Sequence, residues 1–151
     1  MILDETQRKA VFQFFNEVGI IQQLASTMFN KCLPDGLHVS HFAVLNHLVR
    51  LGDEKTPLAL AEAFQVTKGT MTHTLATLSK RGFITLRPHA TDGRSKIVLL
   101  TDEGRAFQVR AMESLSPAMA ALDGKLDYDK MIDMLPELSK VRAILDANRD
   151  L

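Results

Sequence analysis

The sequence predicts a mainly α fold carrying one small β-hairpin, and three observations carry that prediction. Apolar residues recur at helical steps of three and four over most of the chain. The period changes to two only at residues 83–88 and 95–100. Thr-Pro, Asp-Gly and Thr-Asp-Glu runs punctuate the places where one element gives way to the next. At 151 residues, with 46% apolar and 24% charged, the chain has enough apolar mass for one folded domain and is neither a disordered nor a fibrous sequence.

The first helix is expected over residues 5–33, where Val11, Phe14, Val18, Ile21, Ala25 and Met28 alternate in steps of three and four, flanked by Phe12, Phe15, Leu24 and Phe29. A face this wide needs a central position or a partner chain. Cys32-Leu33-Pro34-Asp35-Gly36 ends it. A second helix over 38–51 sets Val39, Phe42, Leu45, Leu48 and Val49 on one face and stops at Gly52. Thr56 and Pro57 open a short third helix as N-cap and first helical residue, with Leu58, Leu60, Ala61 and Phe64 following. Gln65-Val66 turns, and Thr67 caps a fourth helix whose Met71, Leu75 and Leu78 face inward, ended by Lys80-Arg81-Gly82. Two strands follow, separated by residues 89–94, whose Asp92-Gly93 marks a hairpin; Pro88 belongs at a strand end. Thr101, Asp102 and Glu103 start a helix running to about residue 122, and Asp127 starts the last one. Pro117 and Pro136, lacking a backbone donor, each predict a kink or a short break.

A short helix, a tight turn, a second helix and a hairpin within residues 56–101 is the order of a winged helix-turn-helix. The sequence resembles the MarR family of bacterial transcription regulators. The matching residues are Leu60-Ala61-Glu62, Val66-Thr67, Thr70-Met71-Thr72, Leu78, Arg81-Gly82-Phe83-Ile84, Asp92-Gly93-Arg94 and Leu100-Thr101-Asp102-Glu103-Gly104. The resemblance covers the whole chain. It implies a single domain over 1–151, with 5–33 and 105–149 as dimerisation helices and 38–101 as the DNA-reading part. Gln65 departs from the small residue or glycine often found in such a turn.

Charge points the same way. The 18 basic and 18 acidic residues cancel, yet Lys68, Lys80, Arg81, Arg87, Arg94 and Lys96 face only Asp92 within residues 65–96, which leaves the remainder of the chain acidic. On the fourth helix Lys68, Gly69, Thr70, Thr72, His73 and Thr77 are left outside the core, and small polar side chains of this kind let a helix backbone approach base edges. Thr72 and His73 are candidate base contacts. Lys68 is a candidate phosphate or guanine contact, Thr56 and Thr70 are candidate phosphate donors, and Thr67, the cap of the fourth helix, belongs to the same DNA-binding set. Arg94 at the hairpin tip suits the minor groove, with Asp92 two residues away to hold the loop in one geometry; Arg87 and Lys96 flank it. The alternatives are a solvated threonine face and an ordinary Asp-Gly turn with a solvated arginine.

His38 and His41 are three residues apart, but too few further ligands accompany them for a metal site. His41 and His47 are placed instead in the cleft between the helical frame and the winged part, where the resemblance implies a small-molecule site; Phe15, His41 and Leu45 are the candidate effector residues for a small aromatic or phenolic ligand. Glycine-rich phosphate loops and hydrolase motifs are missing, so no catalysis and no cofactor is expected. The lone Cys32, with Asp4 and Glu5 where a secretory leader would be basic then apolar, predicts a reducing, cytoplasmic compartment. The function expected is a homodimeric regulator, in the repressor sense, that binds pseudo-palindromic double-stranded DNA and is released by an effector. The rivals are a redox regulator acting through Cys32 and a winged module that binds an acidic protein.

Overall fold

A computed structural model describes residues 3–150, which fall into two compact units meeting at Ser116 and Pro117. The first unit begins with α1 (Glu5–Cys32), capped by Asp4, whose carboxylate accepts from the Gln7 backbone N–H at 2.8 Å while the Gln7 amide oxygen accepts from the Asp4 N–H at 3.1 Å. A single 3₁₀ turn (Pro34–Gly36) leads into α2 (Val39–Leu51). Then come α3 (Pro57–Phe64), α4 (Lys68–Lys80), the strands β1 (Ile84–Pro88) and β2 (Lys96–Leu100), and α5 (Asp102–Glu113).

The caps read from the sequence form: Thr56 accepts from the Ala59 N–H and Thr67 from the Thr70 N–H, each at 3.1 Å, and Thr101 from the Gly104 N–H at 3.0 Å. Gln65 holds the α3–α4 turn in the left-handed region, at φ 52° and ψ 43°, while the Val66 N–H bonds the Ala61 carbonyl at 3.0 Å. The turn thus takes the glycine-type geometry with a glutamine in it, at a steric cost of about 1 kcal/mol.

The core draws on α2, α3, α4, both strands and α5: Leu45, Leu48, Leu60, Leu75, Leu78, Ile84, Val98 and Phe107 are all fully buried, and Phe83 stacks on Phe107 with ring centres 4.6 Å apart. On α2 the inward face is Val44, Leu45 and Leu48 rather than the expected stripe beginning at Val39, because Val39 and Phe42 turn toward α1, where Phe42 meets Phe29 edge-on at 4.7 Å. Helix α5, expected in the dimer frame, contributes Phe107, Gln108 and Ala111 to this core.

β1 and β2 pair antiparallel from Ile84 opposite Leu100 to Pro88 opposite Lys96. The outer edge of β2 is covered by residues 53–55: Glu54 N–H bonds the Val98 carbonyl, Val98 N–H the Lys55 carbonyl, and Asp53 accepts from the Leu100 N–H, all at 2.9 Å.

In the second unit Pro117 sits in the first turn of a separate helix, α6 (Ser116–Ala121), so the break expected there is found. α7 (Tyr128–Ala147) starts at Asp127, whose carboxylate accepts from the Lys130 N–H, and runs unbroken through Pro136. Of the kink or short break expected at Pro136, no break forms: one missing donor is outweighed by the ladder on either side in a helix of 20 residues. Neither α1 nor α7 buries a residue. Phe12, Ile21 and Leu24 on α1 are 61–75% exposed, and Ile132, Leu135 and Ile144 on α7 are 56–63% exposed.

Candidate nucleic-acid interface

Helix α4 is anchored on one side by Met71, Thr74, Leu75 and Leu78, all buried. Its opposite side presents Lys68, Gly69, Thr72, His73 and Ala76, all exposed and spaced by threes and fours, so they share one face. Ala76 belongs to this face although the sequence reading left it out; its signal was its place four residues beyond Thr72. Thr77 lies half-buried toward the side, its hydroxyl donating to the His73 carbonyl.

The threonines of α4 differ in what their hydroxyls do. Thr67 donates to the Thr70 hydroxyl at 2.9 Å, while Thr72 donates to the Lys68 carbonyl at 2.8 Å and Thr74 to the Thr70 carbonyl at 3.1 Å. Thr56, at the start of α3, is half-buried and occupied as a cap.

The loop joining the strands is closed by the His89 N–H bonding the Ser95 carbonyl at 2.9 Å. Gly93 has no positive φ, so Asp92-Gly93 is not the mirror-image two-residue turn that the dipeptide usually signals but the tip of a wider loop. Asp92 accepts from the Arg94 backbone N–H at 3.0 Å, and Arg94 stands exposed at that tip. His89 also holds the loop, its Nδ1 accepting from the Thr91 and Asp92 N–H groups at 3.2 Å each. Sequence reading missed it; a hydrogen-bonding side chain two residues ahead of a turn was the available signal. Arg87 and Lys96 are both exposed, but strand alternation sends them to opposite faces of the hairpin: Arg87 stands opposite Ile97, and Lys96 opposite Pro88. They do not flank Arg94 as a matched pair.

The three effector candidates differ in exposure. Phe15 is exposed on α1, and His41 is half-buried at the start of α2 with its Nδ1 accepting from the His38 N–H at 3.1 Å. Leu45 is fully buried in the core, on the apolar face of α2 where the helical period placed it, and so out of a ligand's reach. A groove of about 320 Å³ opens instead among Phe29, Phe42, Asn46, His47, Arg50 and Phe64. Asn46 accepts there from the Gln108 side-chain amide at 3.1 Å. Both His41 and His47 titrate below the ordinary histidine range. Burial is the main cause for each, followed by the charges of His38, His73 and Arg81 for His41 and of Lys55 and Arg50 for His47. Cys32 ends α1 half-buried. Among the described residues no group of three or more histidines, cysteines or carboxylates is set to hold a metal ion, and no helix is long and apolar enough to cross a membrane.

A helix pinned by its apolar side, preceded by a shorter helix and a capped turn and followed by a two-stranded hairpin, defines a winged helix-turn-helix protein. Residues 35–95 match the family model described as MarR family. Over 129 residues the chain is 38% identical to the HTH-type transcriptional repressor YetL of Bacillus subtilis (strain 168), covering 83% of this chain and 77% of that protein. The fold is shared with the transcriptional regulator BldR from Sulfolobus solfataricus, at a TM-score of 0.76 and 21% identity, over 93% of this chain and 99% of that one. It is shared also with a mutant MarR from E. coli complexed with operator DNA, at a TM-score of 0.69 and 22% identity, over 87% and 95% of the two chains. The chain belongs to the MarR family of transcriptional regulators and is not an enzyme.

Proposed function

We propose that this regulator is a cytoplasmic repressor that binds pseudo-palindromic operator DNA as a homodimer and is released by a small-molecule effector. The observation that carries the DNA reading is the exposed α4 face of Lys68, Gly69, Thr72 and His73, on a helix held from behind, in the same unit as a loop that presents Arg94. Such a helix fits the major groove, and an exposed cation at the tip of a loop whose backbone is held fits the minor groove. In this reading Thr56, Lys68 and Thr70 position the helix against phosphates, Thr67 fixes the start of the helix as its cap, Arg87 and Lys96 add backbone contacts from the hairpin, and Asp92 orients the loop. The repressor sense is supported by the relative from Bacillus subtilis, and DNA as the partner by the operator complex of the MarR mutant from E. coli.

The homodimer reading rests on α1 and α7, whose large apolar side chains are exposed and whose residues are nowhere buried in a single copy. A second copy of the chain is the occupant that covers both, with an interface above roughly 2,000 Å² in total. The effector reading is favoured by the groove beside Phe42 and His47, which has aromatic walls and a cation, Arg50, at its rim. An effector acts only by binding one spacing of the two α4 helices better than another.

Selection of bound sequences from a random DNA pool tests the whole reading, because a recovered inverted repeat reports specific binding and two-fold symmetry together. Light scattering that finds a well-folded monomer at low micromolar concentration overturns the homodimer. A pool without enrichment overturns the DNA reading.

A further inference from the structure

We infer that His38, His41 and His73, gathered with Arg81 where the start of α2 meets α4, form a backbone-phosphate site that takes up protons as DNA binds, so that affinity rises as pH falls; this rests on the DNA-binding reading above. His73, Thr77 and Arg81 follow one another at steps of four along α4, and Arg81 crosses to the turn before α2, where its guanidinium donates to the Asp35 carbonyl at 2.8 Å. The His38 and His41 rings lie 6.0 Å apart, and His41 is close enough to His73 and Arg81 for both to act on its charge. His38, His73 and Arg81 are exposed and His41 is half-buried. Since His73 belongs to the exposed α4 face, the cluster carries that face on to the start of α2.

The cluster holds cations and no counter-charge. Burial first, then His38, His73 and Arg81, keep His41 below the ordinary histidine range. Charges on the other elements packed against α2 and α4, such as Lys31 of α1, Glu62 of α3, Arg87 of β1, Lys96 of β2 and Arg105 of α5, are not among the groups that act on it. The polar side chains that α1 and α5 bond to α2 are uncharged: Asn30 accepts from the Val39 N–H at 2.7 Å, and Gln108 donates to Asn46. Asp35 meets Arg81 through its backbone carbonyl, and among the described residues no carboxylate forms an ion pair with any of the four. A polyanion laid on this surface relieves the repulsion that the protein leaves unbalanced.

The four groups divide the work. The Nδ1 of His41 accepts from the His38 backbone N–H at 3.1 Å, which puts the proton of the neutral ring on Nε2 and leaves a positioned neutral donor. A second proton on Nδ1 would displace that bond, so uptake falls on the exposed rings of His38 and His73. A histidine changes charge between pH 5 and 8, and a phosphate beside it favours the charged form. The complex then holds more protons than the free protein, and affinity climbs as pH falls through the bound-state values. Arg81 stays charged throughout and binds phosphate at every pH.

The test uses the full-length protein and a duplex enriched from the random pool, with affinity measured at pH 8 and pH 6 over a range of salt. Wild type should gain about tenfold or more at pH 6, with a salt slope steeper by about two units for a dimer, one new cation per copy. His38→Gln, which leaves the α4 face intact, should cut the gain to about threefold, and the His38→Gln, His73→Gln double variant should hold it within about twofold whatever its affinity at pH 8. His41→Gln, whose amide still completes the cap, should keep most of the gain. Binding heats in buffers of different ionisation enthalpy count the protons directly, and thermal melts at both pH values confirm that each variant is folded. A flat wild-type profile, or a gain and proton uptake unchanged in the double variant, overturns the inference while leaving DNA binding intact. A pool that enriches nothing for wild type overturns the DNA reading and this inference with it.

Discussion

The Asp92 carboxylate accepts a hydrogen bond from the backbone N–H of Arg94 at 3.0 Å, so the loop that carries the arginine is set by the residue two places before it. Charge and geometry at the tip are therefore separable by substitution. Arg94→Ala should weaken binding to all sequences and lower the salt slope by about one to two units for a dimer, since each copy loses one cation. Asp92→Asn, whose amide oxygen still accepts, should keep the loop, and Asp92→Ala should loosen it without removing the arginine. Titrations of operator affinity against salt separate the two: a changed slope marks lost charge, and lower affinity at unchanged slope marks lost geometry. If Arg94→Ala moves neither while the protein stays folded, the hairpin does not touch DNA.

Among the glycines, Gly104 has the least room for a side chain. A Cβ there would lie 2.1 Å from the Phe83 carbonyl oxygen and 2.9 Å from a Leu100 methyl, and the nearer atom is backbone. The approach is close because Thr101 ties the start of α5 to the α4–β1 turn, its N–H bonding the Phe83 carbonyl at 3.1 Å and its hydroxyl the Gly82 carbonyl at 2.6 Å. Gly104→Ala should cost about 3 kcal/mol or more, read from chemical denaturation. A loss under about 1 kcal/mol would show that α5 can move off the turn.

Gln65 is the opposite case, a strained residue in the open. Gln65→Gly should leave stability unchanged or raise it slightly, because relief of the left-handed strain offsets the greater freedom of glycine in the unfolded chain. Gln65→Val should cost about 1–2 kcal/mol, since a β-branched side chain fits a positive φ worst. Thermal melts of the pair check both directions, and a neutral valine would contradict the strain.

The two depressed histidines set a pH dependence. Both are held below the ordinary value of 6.5 by burial first and neighbouring cations second, so below that pH the unfolded chain takes up protons the folded one resists. Their contribution to stability is complete above pH 6.5 and is lost as pH falls through their folded values. Denaturation midpoints measured from pH 7.5 downward should decline more for wild type than for a His41→Gln, His47→Gln double variant, in which glutamine at 41 can still complete the α2 cap. Equal declines would mean that other groups carry the dependence.

The elements were legible in the sequence because their signals are local. Thr56, Thr67, Thr101 and Asp127 cap helices through a bond to an N–H three residues on, and the two-residue period over 83–88 and 95–100 is a property of single strands. The polar face of α4 was legible for the same reason. Ala76 was overlooked because a lone alanine looks the same on either side of a helix, and His89 because its partners are set by the loop's path.

What the sequence by itself determined was the order of the main elements, the caps at Thr56, Thr67, Thr101 and Asp127, the winged arrangement and the concentration of cations over residues 65–96, since each follows from periodicity and near neighbours. Only the tertiary structure decided the rest. It placed α5 in the winged core through Phe107, buried Leu45 away from any ligand, opened the groove at Phe42 and His47, and sent Arg87 and Lys96 to opposite faces. It also kept α7 whole through Pro136. The physical reason is that the rotation of a helix about its axis, the pairing register of a strand and the worth of one missing hydrogen bond depend on contacts summed over distant residues, and no local pattern encodes them.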